Sequence, residues 1–253
     1  MPSDVIVVIP SKGRPDLLSS KVLSWLVFSK YPFMVFIEEQ EYDDYRRVLS
    51  PENIEVIPKS NQGLGYVKHY ISLWLSASDY EFAFKLDDDV RLRRRGALQA
   101  PDAIALDFDR AIVHSLDAFH KYPDVVAVGF PYRWELWDVR RWVGMNSRLQ
   151  TCFIARTDYF VGDPRISTFE DFHNYLHIRS QNKMTLRYGL IGIDTDVGKG
   201  AGGLQSFDRH KMALTEVEVL REIYPALEMK KVEGKTWGIE PVLKGSFFGV
   251  KKI

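Results

Sequence analysis

Lys85-Leu86-Asp87-Asp88-Asp89-Val90 closes an apolar run, Tyr80 to Leu86, that reads as a buried strand, so three consecutive carboxylates stand where a strand ends. Packing has no use for them. Oxygen ligands gathered at one point suit a hard cation such as Mg²⁺ or Mn²⁺, which relieves their mutual repulsion and can hold a diphosphate. The plainer alternative is an N-cap followed by a solvated acidic turn. The sequence on either side of the triplet bears on the choice.

Upstream, Val5 to Ile9 is a continuous β-branched run closed by Pro10, the pattern of a strand covered on both faces in a parallel sheet. Ser11-Lys12-Gly13-Arg14-Pro15 is a turn with two cations. Helical spacing follows from Asp16 to Ser29, then a strand from Phe33 to Ile37, a short helix from Tyr42 to Leu49 and a strand from Ile54 to Ile57. This βαβαβ run predicts a doubly wound, mainly parallel sheet. The loop Asn61-Gln62-Gly63-Leu64-Gly65 then opens a helix that runs through Ser76 to the acidic strand. Ligands of open α/β sheets bind outside the carboxyl ends of the strands, so Lys12, Arg14, Gly63 and the acids are expected to share one crevice. Taken alone, Gly63 and Gly65 are ordinary turn chemistry.

Downstream, Arg91 to Arg95 holds four arginines in five residues, which reads either as a solvated turn or as an edge that grips phosphates or DNA. A helix is expected from Ala103 to Phe119 and a strand from Val125 to Phe130. Tyr132, Trp134 and Trp137 follow in a loop or hairpin, as satellite core or as a stacking platform for a sugar or base. Gln150 to Ala155 reads as a strand. Thr168 to Arg179 reads as a helix with Glu170 and Asp171 at its start, where acids are common for dipole reasons. Met184 to Tyr188 is a further strand, and Gly189 to Gly203 a glycine-rich, mobile loop with Asp194 and Asp196. Met212 to Ile223 is a helix, and Trp237 to Ile253 an extended tail.

Composition sets outer limits. A chain of 253 residues with 45% hydrophobic and 13% aromatic content supports one large α/β domain or two small ones. Lys plus Arg and Asp plus Glu each number 34, which disfavours a protein dominated by phosphate-backbone contacts while leaving room for a local basic patch. The single cysteine, Cys152, excludes an intramolecular disulfide or a multi-cysteine zinc site and fits a reducing cytoplasm. With no signal-peptide pattern and no membrane-length apolar run, a soluble protein is expected.

The ordered set Ile9-Pro10-Ser11, Asn61-Gln62-Gly63, Leu86-Asp87-Asp88-Asp89, Glu170-Asp171 and His210 resembles the GT-A glycosyltransferases over Val5 to His210. The resemblance implies an α/β, Rossmann-like GT-A domain spanning residues 1–253, with a mainly parallel sheet flanked by helices. Residues 1–100 would be its nucleotide-binding half, 101–215 its acceptor half and 216–253 a C-terminal helix and tail. It further implies a nucleotide-diphosphate sugar as donor, a UDP-sugar favoured, held through Mn²⁺ or Mg²⁺. By position, Asp89 would be a metal ligand, Asp87 would face the ribose or the metal, and His210 would complete the metal shell. Pro10, Lys12, Arg14, Gln62, Gly63, Lys68, Asp87 and Asp88 would line the nucleotide, and Asp171, beside Glu170, would be the general base on the acceptor. His173 and His177 compete with His210 but read as surface or packed residues.

Within that superfamily, Ile9-Pro10-Ser11-Lys12-Gly13-Arg14-Pro15 and Leu86-Asp87-Asp88-Asp89-Val90 look most like the TET-associated glycosyltransferases, a largely phage-encoded family associated with glycosylation of hydroxymethylpyrimidines in DNA. That implies a modified-DNA acceptor and, for a phage protein, the host cytoplasm as its compartment. Other readings stay open: a polysaccharide, protein or small-molecule acceptor, a sugar nucleotidyltransferase, or a nucleotide-sugar-binding module without turnover. The nucleotidyltransferase is disfavoured because Pro10-Ser11-Lys12-Gly13 has one glycine where those enzymes carry a glycine-rich signature. A nucleic-acid-binding protein without chemistry is disfavoured by the balanced charge.

Overall fold

Val5–Pro10 forms β1, every residue of which is buried. Val5, Val7 and Ile9 face a core shared with Leu18, Trp25 and Phe108, while Ile6 and Val8 face a second core with Ile71, Leu75 and Ile178. Cover on both faces explains the unbroken apolar run. In this computed structural model the described residues are 4–93, 100–137, 143–189, 191–194, 209–225, 227–231 and 239–243.

After β1 the chain forms α1 (Pro15–Leu18), a π turn (Ser19–Leu23) and α2 (Ser24–Leu26) in one helical run, then β2 (Phe33–Glu38), α3 (Tyr42–Tyr45) and β3 (Ile54–Ile57). The run from Tyr42 is shorter than its spacing predicts, because turns replace helix beyond Arg46. Next, α4 (Leu64–Ser76) carries the chain back across the sheet to β4 (Phe82–Lys85). Strands β2 and β4 pair in parallel on either side of β1, so the winding direction reverses between β1 and β4. A crevice opens at such a reversal, and here it receives Ser11 and the acidic triplet.

The second half adds β5 (Arg91–Arg93), α5 (Pro101–Lys121), β6 (Val125–Gly129), β7 (Val143–Met145), β8 (Phe153–Arg156), α6 (Glu170–Ser180), β9 (Met184–Tyr188) and β10 (Gly192–Asp194). It closes with α7 (Arg209–Ile223), β11 (Leu227–Lys231) and β12 (Ile239–Leu243). The main sheet has the order β3-β2-β1-β4-β8-β6-β9-β7. It is mainly parallel, as the sequence predicts, with β8 and β7 reversed. Three local expectations change. Arg91–Arg93 is a strand paired with β10 rather than a turn, β10 lies inside the stretch read as a glycine-rich loop, and β12 pairs with β11 where an extended tail is expected. Residues 195–203 of that loop, with Asp196, lie outside the described residues, as do 204–208, Arg94, Arg95 and 244–253.

Two glycines bring the halves together. A Cβ on Gly65, in the first turn of α4, would lie 2.5 Å from the Ile166 carbonyl oxygen and 2.8 Å from that of Asp163. One on Gly162 would lie 2.5 Å from the Lys68 carbonyl carbon. Backbone cannot yield as a side chain does, so these contacts fix α4 against the loop before α6. Gly65→Ala and Gly162→Ala should each lower stability by about 1–3 kcal/mol in urea denaturation. Gly129→Ala, which meets a leucine methyl at 3.3 Å, should cost less.

Candidate active site

The triplet divides beyond β4. Asp88 turns inward and is fully buried, whereas the side chains of Asp87 and Asp89 keep 30% and 22% of their surface exposed. Ser11 Oγ donates to Asp88 Oδ2 at 2.6 Å, and Arg14 reaches Asp88 through Nη2 at 2.6 Å and Nε at 3.1 Å. Burial pushes Asp88 up to about 7 against the pull of Arg14 and Ser11. Arg14 and Asp88, both expected to line a nucleotide, engage each other and tie the β1–α1 loop to the end of β4. Burial, then repulsion from Asp87, raises the pKa of Asp89.

Lys12 also has protein partners. Its Nζ donates to Glu38 Oε1 at 2.7 Å and to Asn61 Oδ1 at 2.9 Å, and the Asn61 N–H donates to the same Glu38 oxygen at 2.8 Å. Buried Glu38, at the end of β2, is thereby the hub that joins the β1–α1 loop to the loop before α4, and it is not among the site residues expected from the sequence. Gly63, at φ 83°, occupies a conformation that favours glycine at the N-cap of α4. Pro10 is buried at the end of β1, and exposed Gln62 donates to the Ser60 carbonyl at 3.0 Å.

The heart of the site is a buried charge cluster. Lys68, expected near the nucleotide, points from α4 to Glu170 Oε1 at 2.6 Å and Asp171 Oδ1 at 3.1 Å. Lys85, the last residue of β4 and fully buried, reaches Asp171 Oδ1 at 2.8 Å, Asp87 Oδ1 at 3.0 Å and Glu170 Oε1 at 3.7 Å. Burial works against the charge on Lys85, but Asp171, Asp87 and Glu170 outweigh it and hold the ammonium protonated. Burial likewise works against the Asp171 carboxylate, and the two lysines overcome it to hold the pKa at about 2. Glu170 is raised by burial and by Asp171 beside it. Lys85 was absent from the sequence candidates. Its signal was a lysine inside the apolar run Phe82-Ala83-Phe84-Lys85-Leu86, since a buried ammonium requires acids around it.

The first turn of α6, which carries Glu170 and Asp171, is held from a distance. Glu216 of α7 accepts from the Thr168 N–H at 2.7 Å and the Phe169 N–H at 3.0 Å. Asn174 secures the preceding loop through Val161. His173 is buried, its Nδ1 3.1 Å from the Tyr224 hydroxyl, and so belongs to the packing of α6 on α7. His210 lies in the first turn of α7, and its side chain is outside the described residues.

Among the described residues no group of three or more His, Cys, Asp and Glu side chains could hold a metal ion. The strand end does offer two partly exposed carboxylates, Asp87 and Asp89, and burial together with the charge of Asp87 raises the pKa of Asp89. That donor set fits a cation such as Mg²⁺, which takes one or two protein carboxylates and fills its other positions with phosphate oxygens and water. No helix among the described residues is long and apolar enough to cross a membrane.

The doubly wound sheet, with acids at the β1/β4 reversal and a buried carboxylate pair facing them, is an α/β architecture of the GT-A-like class. The TET-Associated Glycosyltransferase family model matches residues 5–203, and the chain belongs to that family. A mycobacterial protein of known crystal structure shares the fold, with a TM-score of 0.53 at 12% identity over 95% of this chain and 83% of that one. Looser superpositions relate it to TarS of S. aureus, solved with UDP (TM-score 0.46, 13% identity, 75% of this chain and 59% of that one). A197 from STIV is similar at TM-score 0.43 and 11% identity, over 76% of this chain and 84% of that one. No curated protein sequence matches the chain.

Lys85→Met should destabilise the protein by about 3–5 kcal/mol, because it leaves carboxylates buried without their cation. Adding Asp171→Asn should restore part of the loss in a denaturation cycle. Burial lowers His173 from 6.5 to about 4, so the folded protein binds that proton less readily than the unfolded chain. Its stability contribution is therefore complete above pH 6.5 and lost as pH falls toward 4, by up to about 3 kcal/mol. His173→Gln should flatten that part of the stability profile.

Proposed function

We propose that this glycosyltransferase is metal-dependent and moves a sugar from a nucleotide-diphosphate sugar, a UDP-sugar favoured, to the hydroxymethyl group of a 5-hydroxymethylpyrimidine in DNA. The observation that carries the reading is the cluster in which Lys85 bridges Asp87, on the strand-end side, to Asp171, on the α6 side. Residues 1–100 supply the donor side of this arrangement and 101–215 the acceptor side, within one domain. Membership of the family supports the hydroxymethylpyrimidine acceptor. The single buried cysteine suits a reducing cytoplasm, that of the host for a phage protein.

Asp171 is the general base. Both lysines bind its Oδ1, which leaves Oδ2 to take the proton. The two ammoniums keep the carboxylate ionised and aimed, at the cost of making it a weak base. Proton transfer therefore comes late, as negative charge leaves the acceptor oxygen. That oxygen forms the new bond to the anomeric carbon while the bond to the diphosphate breaks, and the nucleoside diphosphate departs with the electron pair. Asp87 and Asp89 would hold a divalent cation, which would supply charge neutralisation for that leaving group. Glu170 and the two lysines hold Asp171 in place, and no covalent nucleophile is required.

The test is a panel of nucleotide sugars with Mn²⁺ and hydroxymethylated or unmodified DNA, read by nucleoside mass spectrometry. A gain of one sugar on the modified nucleoside is expected. Donor hydrolysis with no gain on any DNA would overturn the acceptor in favour of a polysaccharide, protein or small molecule. Asp171→Asn should retain UDP binding and lose transfer by about 10²–10⁴-fold, and near wild-type transfer would remove it from the role of base. Asp89→Asn should abolish Mn²⁺-dependent UDP binding measured by calorimetry, and unchanged binding would refute the metal assignment.

A further inference from the structure

Tyr132 and Trp134 stand outside the machinery described so far. Their rings stack 4.4 Å apart and 10° from parallel, with Tyr132 half-buried and Trp134 61% exposed. The Tyr132 hydroxyl is 3.2 Å from Thr151 Oγ1. Thr151 lies two residues before Phe153, which is in register with both Lys85 and Gly129, the last residues of β4 and β6. That register puts the stack beside the carboxyl ends of β4 and β6, the end of the sheet that carries Lys85 and the acidic triplet.

The turn that carries the stack, Arg133–Trp137, is rigidly held. Glu135 accepts from the Tyr132 N–H at 3.0 Å and from Arg187 at 3.3 Å, and the Ile193 N–H donates to the Pro131 carbonyl at 2.9 Å. Gly192 of β10 packs so closely that a Cβ there would lie 2.5 Å from Leu136. The same small sheet gathers cations. Arg93 and Arg133 lie 3.6 and 3.4 Å from Asp194, and exposed Arg91 is paired opposite Asp194 in the ladder. Among the described residues, two guanidiniums beside Asp194 and a third from its ladder partner outnumber that carboxylate.

A flat aromatic face framed by guanidiniums matches a nucleotide in both its parts, the ring by stacking and the phosphates by charge. A sugar ring would use the face and leave the cations idle. We propose that Trp134, backed by Tyr132 and flanked by Arg91, Arg93 and Arg133, is the acceptor subsite for one unstacked pyrimidine nucleotide. This rests on the DNA acceptor proposed above. A base inside a duplex has both faces covered by its neighbours, so it reaches the indole only from a single strand or after extrusion from the helix. The enzyme then handles an exposed base and reads little of the duplex around it.

The test uses the full chain and an oligodeoxynucleotide with one 5-hydroxymethylcytosine, single-stranded or in duplex, with binding followed by fluorescence anisotropy and transfer by steady-state kinetics. The single strand should bind more tightly than the duplex. Trp134→Ala should raise the acceptor KM roughly tenfold, with the loss falling on KM rather than kcat, and Trp134→Phe should recover most of it. Arg133→Gln should reduce the salt dependence of binding. An unaltered acceptor KM in Trp134→Ala, in an enzyme whose wild type modifies DNA, would overturn the subsite and leave the proposed function standing. A wild type that binds no DNA, with an oligosaccharide KM raised by Trp134→Ala, would assign the stack to a sugar ring and overturn both.

Discussion

An ammonium sealed at the end of a β-strand cannot be solvated, so the chain has to bring acids to it, and Lys85 imposes that demand on two separate parts of the fold. Asp87 comes from the strand's own continuation, and Glu170 and Asp171 come from α6. Lys68, from α4, adds a second ammonium to the same acids. Removing the acids around Lys85, which is fully buried, leaves a charge with no water to repair it, a penalty of several kcal/mol. Charge matching therefore sets the spacing between the strand end and α6. The close backbone contacts at Gly65 and Gly162 allow α4 to approach near enough for Lys68 to take part.

The acidic triplet shows how adjacent identical residues diverge in a turn. Beyond the last residue of β4, the Val90 N–H donates to the Asp87 carbonyl at 3.4 Å, and within that turn Asp88 is buried while Asp87 and Asp89 stay partly exposed. The inward carboxylate recruits Ser11 and Arg14. Arg14 thus serves as an internal tie between β1 and β4, while Asp87 pairs with Lys85 and keeps an edge open to solvent.

The parallel core was legible because β-branched runs such as Val5 to Ile9 admit few other readings, and the order of acids and glycines marked the crevice. The register of small antiparallel pieces was not legible. Arg91–Arg93 looks like a charge run because only Leu92 is buried, and it becomes a strand through pairing with Gly192–Asp194, about a hundred residues away. The same limit applied to side-chain partners. Lys12, Arg14 and Lys68 are expected beside a nucleotide, yet nothing local identifies Glu38, Asp88 and Glu170 as their counter-ions. Lys85 was readable in principle, as a charge in an apolar strand. Glu216 was not, since its partners lie 47 and 48 residues earlier in the chain.

That last contact bears on how the family's common core is completed. The matched segment ends at residue 203, whereas α7 begins at Arg209. The carboxylate that terminates the backbone of α6, one residue ahead of Glu170, is therefore contributed by sequence that the shared family pattern does not reach. A change in this outlying helix therefore has a direct route to the orientation of Glu170 and Asp171 that leaves the matched segment untouched.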